Sequence, residues 1–116
     1  MSTAPPRIDS HHHLWDVSKL DYDWMPPGES VIKRNYLPTG LKPVLDKNGV
    51  SATVLVQAHE SVEEADGLLD LYAASDFIAG VVAWVDLESP DVGRVLDRLM
   101  ARGGLVGIRH GAEHDP

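Results

Sequence analysis

The sequence predicts an α/β fold in which about four parallel strands alternate with helices. Three observations support this prediction: two nearly unbroken apolar, β-branched segments, apolar side chains at helical spacing between such segments, and glycines where the helical patterns end. Apolar runs of this kind suit strands that are buried on both faces. Strands that alternate with helices form right-handed βαβ units. Two architectures fit this pattern, an open doubly wound sheet and part of a (β/α)8 barrel of the TIM type.

The first predicted strand is short and leads into three consecutive histidines. It covers residues 7–10, and the histidines are residues 11–13. Residues 14–38 are irregular and rich in aromatic side chains, Pro and Gly. Because long loops inside compact domains are uncommon and often functional, we interpret this segment as an active-site loop. Residues 1–6 are expected to form a flexible leader.

The first predicted helix begins with Thr39 as its N-cap and ends at Gly49, a residue type favoured just after a helix. Residues 52–58 form the second predicted strand. Ser61 and Glu64 have the spacing of a capping box and predict the start of the second helix. The acidic side chains of that helix are expected on its solvated face: Glu63, Glu64, Asp66 and Asp70.

The third strand is predicted over residues 78–85. Ser89 and Pro90 then predict an N-cap and the first turn of a third helix. Apolar residues recur through this helix at the spacing of one buried face. Gly103 and Gly104 end it, and residues 105–108 form the fourth predicted strand.

Composition excludes several classes of protein. The 116 residues suit one domain, and 10 Lys and Arg against 18 Asp and Glu give a net charge of −8. This acidic chain lacks the basic surface of nucleic-acid binders and the polybasic stretch that anionic membranes attract. It has no Cys, no apolar run of roughly 18 residues and no signal peptide. We therefore expect a cytoplasmic protein that takes a small-molecule substrate and binds neither nucleic acid nor a membrane.

Polar side chains that can bind a ligand or take part in catalysis follow each of the four predicted strands. Parallel α/β folds collect their chemistry at the carboxyl ends of strands, so these residues are the site candidates. Arg109 has two interpretations of equal weight, a clamp for a carboxylate or lactone oxygen and an ion pair with a neighbouring acid. Asp86 is interpreted as a cap of the next helix. The candidate substrate-binding residues are Gln57, Trp84, Arg109 and His110.

The most specific pattern is Asp-x-His-x-His at the end of the first strand. Alternation along a strand places Asp9, His11 and His13 on one face. Two imidazoles that converge in this way can bind one divalent metal or polarise a substrate carbonyl without metal. Asp9 is a candidate for orienting one of the rings. A solvated polar turn is the alternative interpretation.

Residues 7–16 resemble the opening of the amidohydrolase-related proteins, the "amidohydrolase 2" branch of the amidohydrolase superfamily. This group includes sugar lactonases of the fuconolactonase type and dicarboxylate lactonases. The resemblance covers nearly the whole chain in the expected order. It continues through residues 36–38, 54–58, 80–87 and 105–110.

The resemblance implies a distorted (β/α)8 barrel that hydrolyses lactones or related C–O and C–N bonds. It makes His11 and His13 the catalytic first-strand pair, which binds the metal or the substrate carbonyl, and it places Arg109 and His110 near the substrate. The fourth strand has no Lys or Glu to bridge two metals. The resemblance therefore implies one divalent metal such as zinc, or none.

The family's general base is an Asp at the end of the eighth strand, which lies outside this sequence. Such a barrel takes roughly 250 residues, so residues 1–116 are expected to be its N-terminal half and to be inactive alone. A first alternative is a non-catalytic half-barrel that assembles with itself or a partner through exposed sheet edges. A second is a phosphoesterase of the Asp-x-His-x-His type, although the sequence has no second cluster of metal ligands.

Overall fold

The computed structural model describes residues 5–26, 28 and 30–110. Four parallel strands form one sheet, with a helix between each consecutive pair. The predicted leader over residues 1–6 lies largely outside the described residues. The strands are β1 (Ile8–His12), β2 (Ala52–Val56), β3 (Ile78–Trp84) and β4 (Leu105–Arg109), and the helices are α1 (Pro38–Lys47), α2 (Val62–Ala74) and α3 (Val92–Ala101).

The order of the strands selects between the two predicted architectures. The strands lie in the sheet in the order β1-β2-β3-β4, and every pair is parallel. A doubly wound sheet reverses its strand order at one point, whereas consecutive strands of a (β/α)8 barrel are always neighbours. The fold is therefore α/β and corresponds to four consecutive units of a TIM-type barrel.

The core lies between the two central strands and the helices that cover them. Leu55 of β2 and Val81 and Ala83 of β3 have no exposed surface, and Leu69 of α2 and Leu99 of α3 pack into the same cluster. Apolar side chains removed from water in this way stabilise a fold by roughly 25 cal/mol per Å². The burial confirms the prediction that the second and third strands are interior strands.

Two predicted helix starts are wrong by a few residues. Helix α1 begins at Pro38, whose fixed φ suits the first helical position, so Thr39 lies inside the helix and Leu37 is the N-cap. Helix α3 begins only at Val92 with Asp91 as its N-cap. The predicted cap Ser89 instead accepts a hydrogen bond from the backbone N–H of Asp91 within the preceding turn.

Helices α2 and α3 are joined by an ion-pair network on the surface. Arg98 forms a bidentate pair with Asp66, with distances of 2.8 and 3.1 Å, and Arg102 bonds Asp66 and Asp70. The hydrogen bonds from Arg98 lower the pKa of the Asp66 carboxyl below its ordinary value. Within the described part of the chain, no helix is long and apolar enough to span a membrane.

Candidate active site

The two predicted catalytic histidines lie side by side at the carboxyl end of β1. The ring centroids of His11 and His13 are 5.1 Å apart and the rings are nearly perpendicular. The pairing of β1 with β2 is irregular between Asp9 and His12. The strand therefore departs here from the regular alternation that predicts His11 and His13 on one face. The structure nevertheless brings the two predicted rings together.

A backbone carbonyl fixes the ring of His13. Its Nδ1 lies 2.7 Å from the carbonyl oxygen of Val56, the last residue of β2. A carbonyl only accepts hydrogen bonds, so Nδ1 carries the proton and the neutral ring keeps its lone pair on Nε2. Histidines that bind metals are commonly held in this way.

Asp9 was a candidate for orienting one of the histidine rings, but its carboxylate does not make this contact. Its carboxylate accepts a hydrogen bond of 3.1 Å from the backbone N–H of His11 instead. Asp9 is therefore bound to its own strand, and the orienting contact that the structure provides for the pair comes from β2.

His12 differs from its neighbours, because both of its ring nitrogens are buried without a hydrogen-bond partner in the described part of the chain. Burial lowers its pKa below the ordinary value.

An aromatic wall continues the site from His13 into the loop after β1; we define it as Trp15, Tyr22, Trp24 and Tyr36. The ring of Trp15 stacks on His13, with 5.9 Å between centroids and 21° between planes. Trp15 also contacts the other three rings at centroid distances of 5.6 to 6.0 Å. An antiparallel bridge between Trp15 and Tyr36 closes the loop at its base. The predicted active-site loop therefore lies next to the candidate histidines.

Glu64 is buried, which contradicts its predicted place on the solvated face of the second helix. Its side chain accepts hydrogen bonds from the hydroxyl of Tyr22 and from the backbone N–H groups of Ala58 and His59. Ser61 does cap α2 by accepting from the N–H of Glu64, but Glu64 does not complete the predicted capping box. Its carboxylate faces the loop and the β2–α2 turn instead. Glu63 and Asp70 are exposed as predicted.

The predicted substrate-binding residue Gln57 is almost fully buried. Its Nε2 donates to the carbonyls of His59 and Ser61, each at 2.6 Å, and its Oε1 accepts from the backbone N–H of Trp84 at 2.7 Å. The amide thus joins the β2–α2 turn to the end of β3. Its polar atoms hold the rim of the sheet, and both N–H donors of the amide are used in these bonds.

The other predicted substrate-binding residues lie at the ends of β3 and β4. The rings of Trp84 and His110 stack with 6.2 Å between centroids and 24° between planes. Arg109 is exposed and donates one hydrogen bond of 3.0 Å to the carbonyl of Gln57, which uses one of the five N–H donors of its guanidinium. The residues at the ends of β3 and β4 therefore lie at the same edge of the sheet as the residues at the end of β2.

Asp86 does not cap α3, contrary to the prediction. It accepts a hydrogen bond of 3.0 Å from the backbone N–H of Glu88, which closes a turn directly after β3. Helix α3 starts six residues later than Asp86, at Val92, which is too far for a cap.

The described residues do not form a metal site by themselves. No group of three or more His, Cys, Asp or Glu side chains in residues 5–26, 28 and 30–110 is arranged to hold a metal ion. His11 and His13 offer two imidazole donors, and a zinc ion in proteins takes three or four protein ligands. The pair therefore fits two positions of such a site.

Comparison with known proteins gives a consistent family. The sequence model of the family described as Amidohydrolase matches residues 8–116. L-fucono-1,5-lactonases from two Burkholderia species are similar to the chain. The protein from B. ambifaria is 38% identical over 103 residues, covering 89% of this chain and 36% of its own. The protein from B. multivorans is 40% identical over 106 residues, covering 90% and 35%.

Solved structures agree with this result. An amidohydrolase from Burkholderia multivorans with bound HEPES superposes with a TM-score of 0.85 at 36% identity, over 96% of this chain and 38% of that one. A second structure of an amidohydrolase from Burkholderia multivorans contains bound zinc. It gives a TM-score of 0.80 at 34% identity, over 96% of this chain and 39% of that one. The chain spans little more than a third of the length of the relatives that it matches.

Proposed function

This chain belongs to the amidohydrolase family, and we propose that it supplies the catalytic first-strand histidines of a lactonase that opens a small sugar or carboxylated lactone. One observation carries the proposal. His11 and His13 lie together at the end of β1, and the carbonyl of Val56 leaves Nε2 of His13 as the ring's acceptor. The similarity to two L-fucono-1,5-lactonases supports a lactone as the substrate.

The reaction is the hydrolysis of a cyclic ester. Water adds to the carbonyl carbon, the bond between that carbon and the ring oxygen breaks, and the ring oxygen takes a proton to give a hydroxy acid. In the proposed mechanism His11 and His13 lie beside the carbonyl oxygen and would be the ligands of a metal where one is bound. Without a metal, His13 can stabilise the charge that develops on that oxygen only in its doubly protonated form, because the neutral ring has its lone pair on Nε2. The general base that activates water would come from strands outside this sequence.

Zinc is one divalent metal that the pair fits, because imidazole is one of its preferred ligands. His11 and His13 would hold it, and the remaining ligands would come from outside the described residues. A bound zinc ion supplies Lewis-acid polarisation of a carbonyl. The zinc in one related amidohydrolase structure supports this assignment.

Substrate binding is proposed for the ends of β3 and β4. The remaining guanidinium donors of Arg109 suit a carboxylate or lactone oxygen, which they can bind in bidentate fashion. Trp84 and His110 form a stacked pair of rings beside it. Gln57 acts indirectly, because its amide fixes the backbone at the ends of β2 and β3.

We further propose that the 116 residues are inactive as an isolated chain. The described residues contain four strands and three helices, whereas a closed barrel needs eight strands and builds its site from several of them. The second candidate function is a half-barrel that assembles with a partner or with itself. It is favoured by the exposure of Ile8 on β1 and Val106 on β4, which are 53% and 63% exposed at the two outer strands of the sheet.

Lactone hydrolysis by the full-length protein that carries this sequence tests the proposed function. Hydrolysis of L-fucono-1,5-lactone and of a dicarboxylate lactone would be followed in a pH-stat, and hydrolysis of a phosphate monoester by colorimetric measurement of inorganic phosphate, with metal analysis of the same preparation. We expect base uptake with a lactone and no release of inorganic phosphate from the ester. Turnover of the phosphate ester alone would replace the lactonase with the phosphoesterase, and turnover of neither would favour the assembly function.

A further inference from the structure

We propose that Glu64 is a positioning residue, which fixes the aromatic wall beside the candidate histidines and so sets substrate affinity. This inference rests on the proposed function. Glu64 contacts neither His11 nor His13 in the hydrogen bonds and ring contacts of the site, so it acts through other residues. We call its contacts with Tyr22, Ala58 and His59 the Glu64 clamp.

The Glu64 clamp joins the loop after β1 to helix α2 and to the β2–α2 turn that directly precedes this helix. Only 3% of Glu64 is exposed. One carboxylate oxygen accepts from the backbone N–H groups of Ala58 and His59, at 2.8 and 3.1 Å, and the other accepts from the hydroxyl of Tyr22. Helix α2, the β2–α2 turn and the loop after β1 therefore meet on one side chain.

The charge of Glu64 is compatible with this burial. The residue lies in the first turn of α2, where the helix dipole favours a negative charge. Hydrogen bonds to a carboxylate are about twice as strong as those between neutral groups, which offsets part of the cost of burial. Burial and the bond to Glu64 raise the pKa of the Tyr22 phenol above its usual range, so Tyr22 remains a donor at neutral pH.

The clamp is connected to the candidate histidines through two ring contacts. The ring of Tyr22 lies 5.9 Å from that of Trp15, and Trp15 stacks on His13. Trp24 is held to the same turn, because its Nε1 donates to the carbonyl of Ala58 at 3.0 Å. Half of the Trp24 surface is exposed, which leaves a fixed apolar face for the substrate at the rim.

Packing alone does not hold the wall in place. A cavity of about 600 Å³ lies between the loop and α2 and is bordered by Trp15, Tyr22 and Glu64. The loop has room to shift into this space if the bond between Tyr22 and Glu64 is lost. The geometry therefore makes that bond one restraint on the wall, in addition to the Trp15–Tyr36 bridge and the hydrogen bond from Trp24 to the carbonyl of Ala58.

The test compares Tyr22→Phe, Glu64→Gln and Glu64→Leu in the full-length protein. Tyr22→Phe keeps the ring and removes only the hydroxyl, so it should fold. We expect its KM for L-fucono-1,5-lactone to rise about fivefold with kcat within about twofold, since a hydrogen bond to a charged group is lost while the reacting groups are unchanged. Acrylamide quenching of tryptophan fluorescence should rise in parallel.

Glu64→Gln is the rescue variant, because its oxygen can keep both backbone bonds while its amide nitrogen donates to the Tyr22 oxygen. We expect KM near the wild-type value for Glu64→Gln and a rise at least as large as that of Tyr22→Phe for Glu64→Leu. Glu63→Gln, the exposed neighbour on the same helix, is the matched control and should change neither KM nor quenching.

An unchanged KM in Tyr22→Phe would overturn the inference, as would an equal fall in kcat for all variants without a change in KM. If the wild-type protein hydrolyses no lactone, the proposed function fails on its own. In that case quenching decides whether the clamp exists, and quenching in Tyr22→Phe equal to that of the wild type would overturn it.

Discussion

Gln57 is a buried amide whose hydrogen bonds join the ends of two strands to the β2–α2 turn. Gln57→Leu would leave the backbone N–H of Trp84 without its acceptor, whereas the carbonyls of His59 and Ser61 would keep their bonds from the N–H groups of Ser61 and Ala65. Because an unsatisfied buried polar group costs about 1 to 3 kcal/mol, we expect the free energy of unfolding to fall by about 2 kcal/mol. Urea unfolding followed by circular dichroism measures this loss.

Thr53 provides the control for that prediction. Its hydroxyl is buried on β2 and has no hydrogen-bond partner in the described part of the chain. Thr53→Val keeps the shape and removes only an unsatisfied group, so the free energy of unfolding should stay level or rise by about 1 kcal/mol. A loss in Thr53→Val as large as that in Gln57→Leu would show that any change to a buried polar side chain of this segment is destabilising, and would contradict the role given to the amide.

At the scale of single residues, the sequence predicts histidines better than carboxylates. His11 and His13 are predictable because side chains two positions apart at the end of a strand are close in space, which is a local rule, and the two rings remain together although β1 is irregular between Asp9 and His12. Glu64 is missed because its position in α2 fits a helix surface equally well. Only the packing of the distant Tyr22 against the β2–α2 turn buries it, and a contact over 42 residues leaves no local pattern.

The connection from α3 to β4 depends on two consecutive glycines with positive φ. Gly103 has φ of 79° and open space where a Cβ would lie, whereas Gly104 has φ of 91° and a Cβ there would lie 2.5 Å from the ring of Tyr72. Gly103→Ala should therefore cost only the left-handed backbone strain, about 1 to 2 kcal/mol. Gly104→Ala adds overpacking against α2 and should cost about 3 to 5 kcal/mol in total.

Thermal and urea unfolding of the two alanine variants measure the difference. Since both residues have similar φ angles, the excess cost of Gly104→Ala measures the steric contact with Tyr72. Equal losses in the two variants would mean that Tyr72 moves aside freely and that α2 and the start of β4 are not closely packed.

At the scale of elements, the type and order of all four strands and three helices are predictable, and the exact starts of the helices are not. Apolar periodicity defines the elements, because it reflects burial along each segment. The starts depend on which residue adopts the first helical φ, and Pro38 takes that place ahead of Thr39. At α3 the favourable cap at Ser89 closes a preceding turn instead.

At the scale of the whole molecule, the described residues form an open sheet whose outer strands each pair with one neighbour. Unpaired strand edges tend to associate with other chains. We therefore expect the isolated 116-residue chain to form homo-oligomers through β1 and β4, and size-exclusion chromatography with light scattering measures this directly. A monodisperse monomer with native circular dichroism would contradict the expected association.

The parallel sheet and the consecutive order of its strands explain why the predicted site residues gather at one edge, although they are separated by up to about a hundred positions in the sequence. The fold class was therefore predictable from alternation of strands and helices. The aromatic wall beside His13 was not predictable, because the apolar residues of an irregular loop follow no periodic pattern.

Hydrolysis of L-fucono-1,5-lactone by the full-length protein and its His13→Ala variant tests the central claim most directly. We predict that the wild-type protein opens the lactone and that kcat/KM of His13→Ala falls at least about a hundredfold, because the group that stabilises the carbonyl oxygen is lost. Asp97→Asn, an exposed change on α3, should retain wild-type activity. A His13→Ala variant that keeps kcat/KM within about threefold of the wild type would contradict the account.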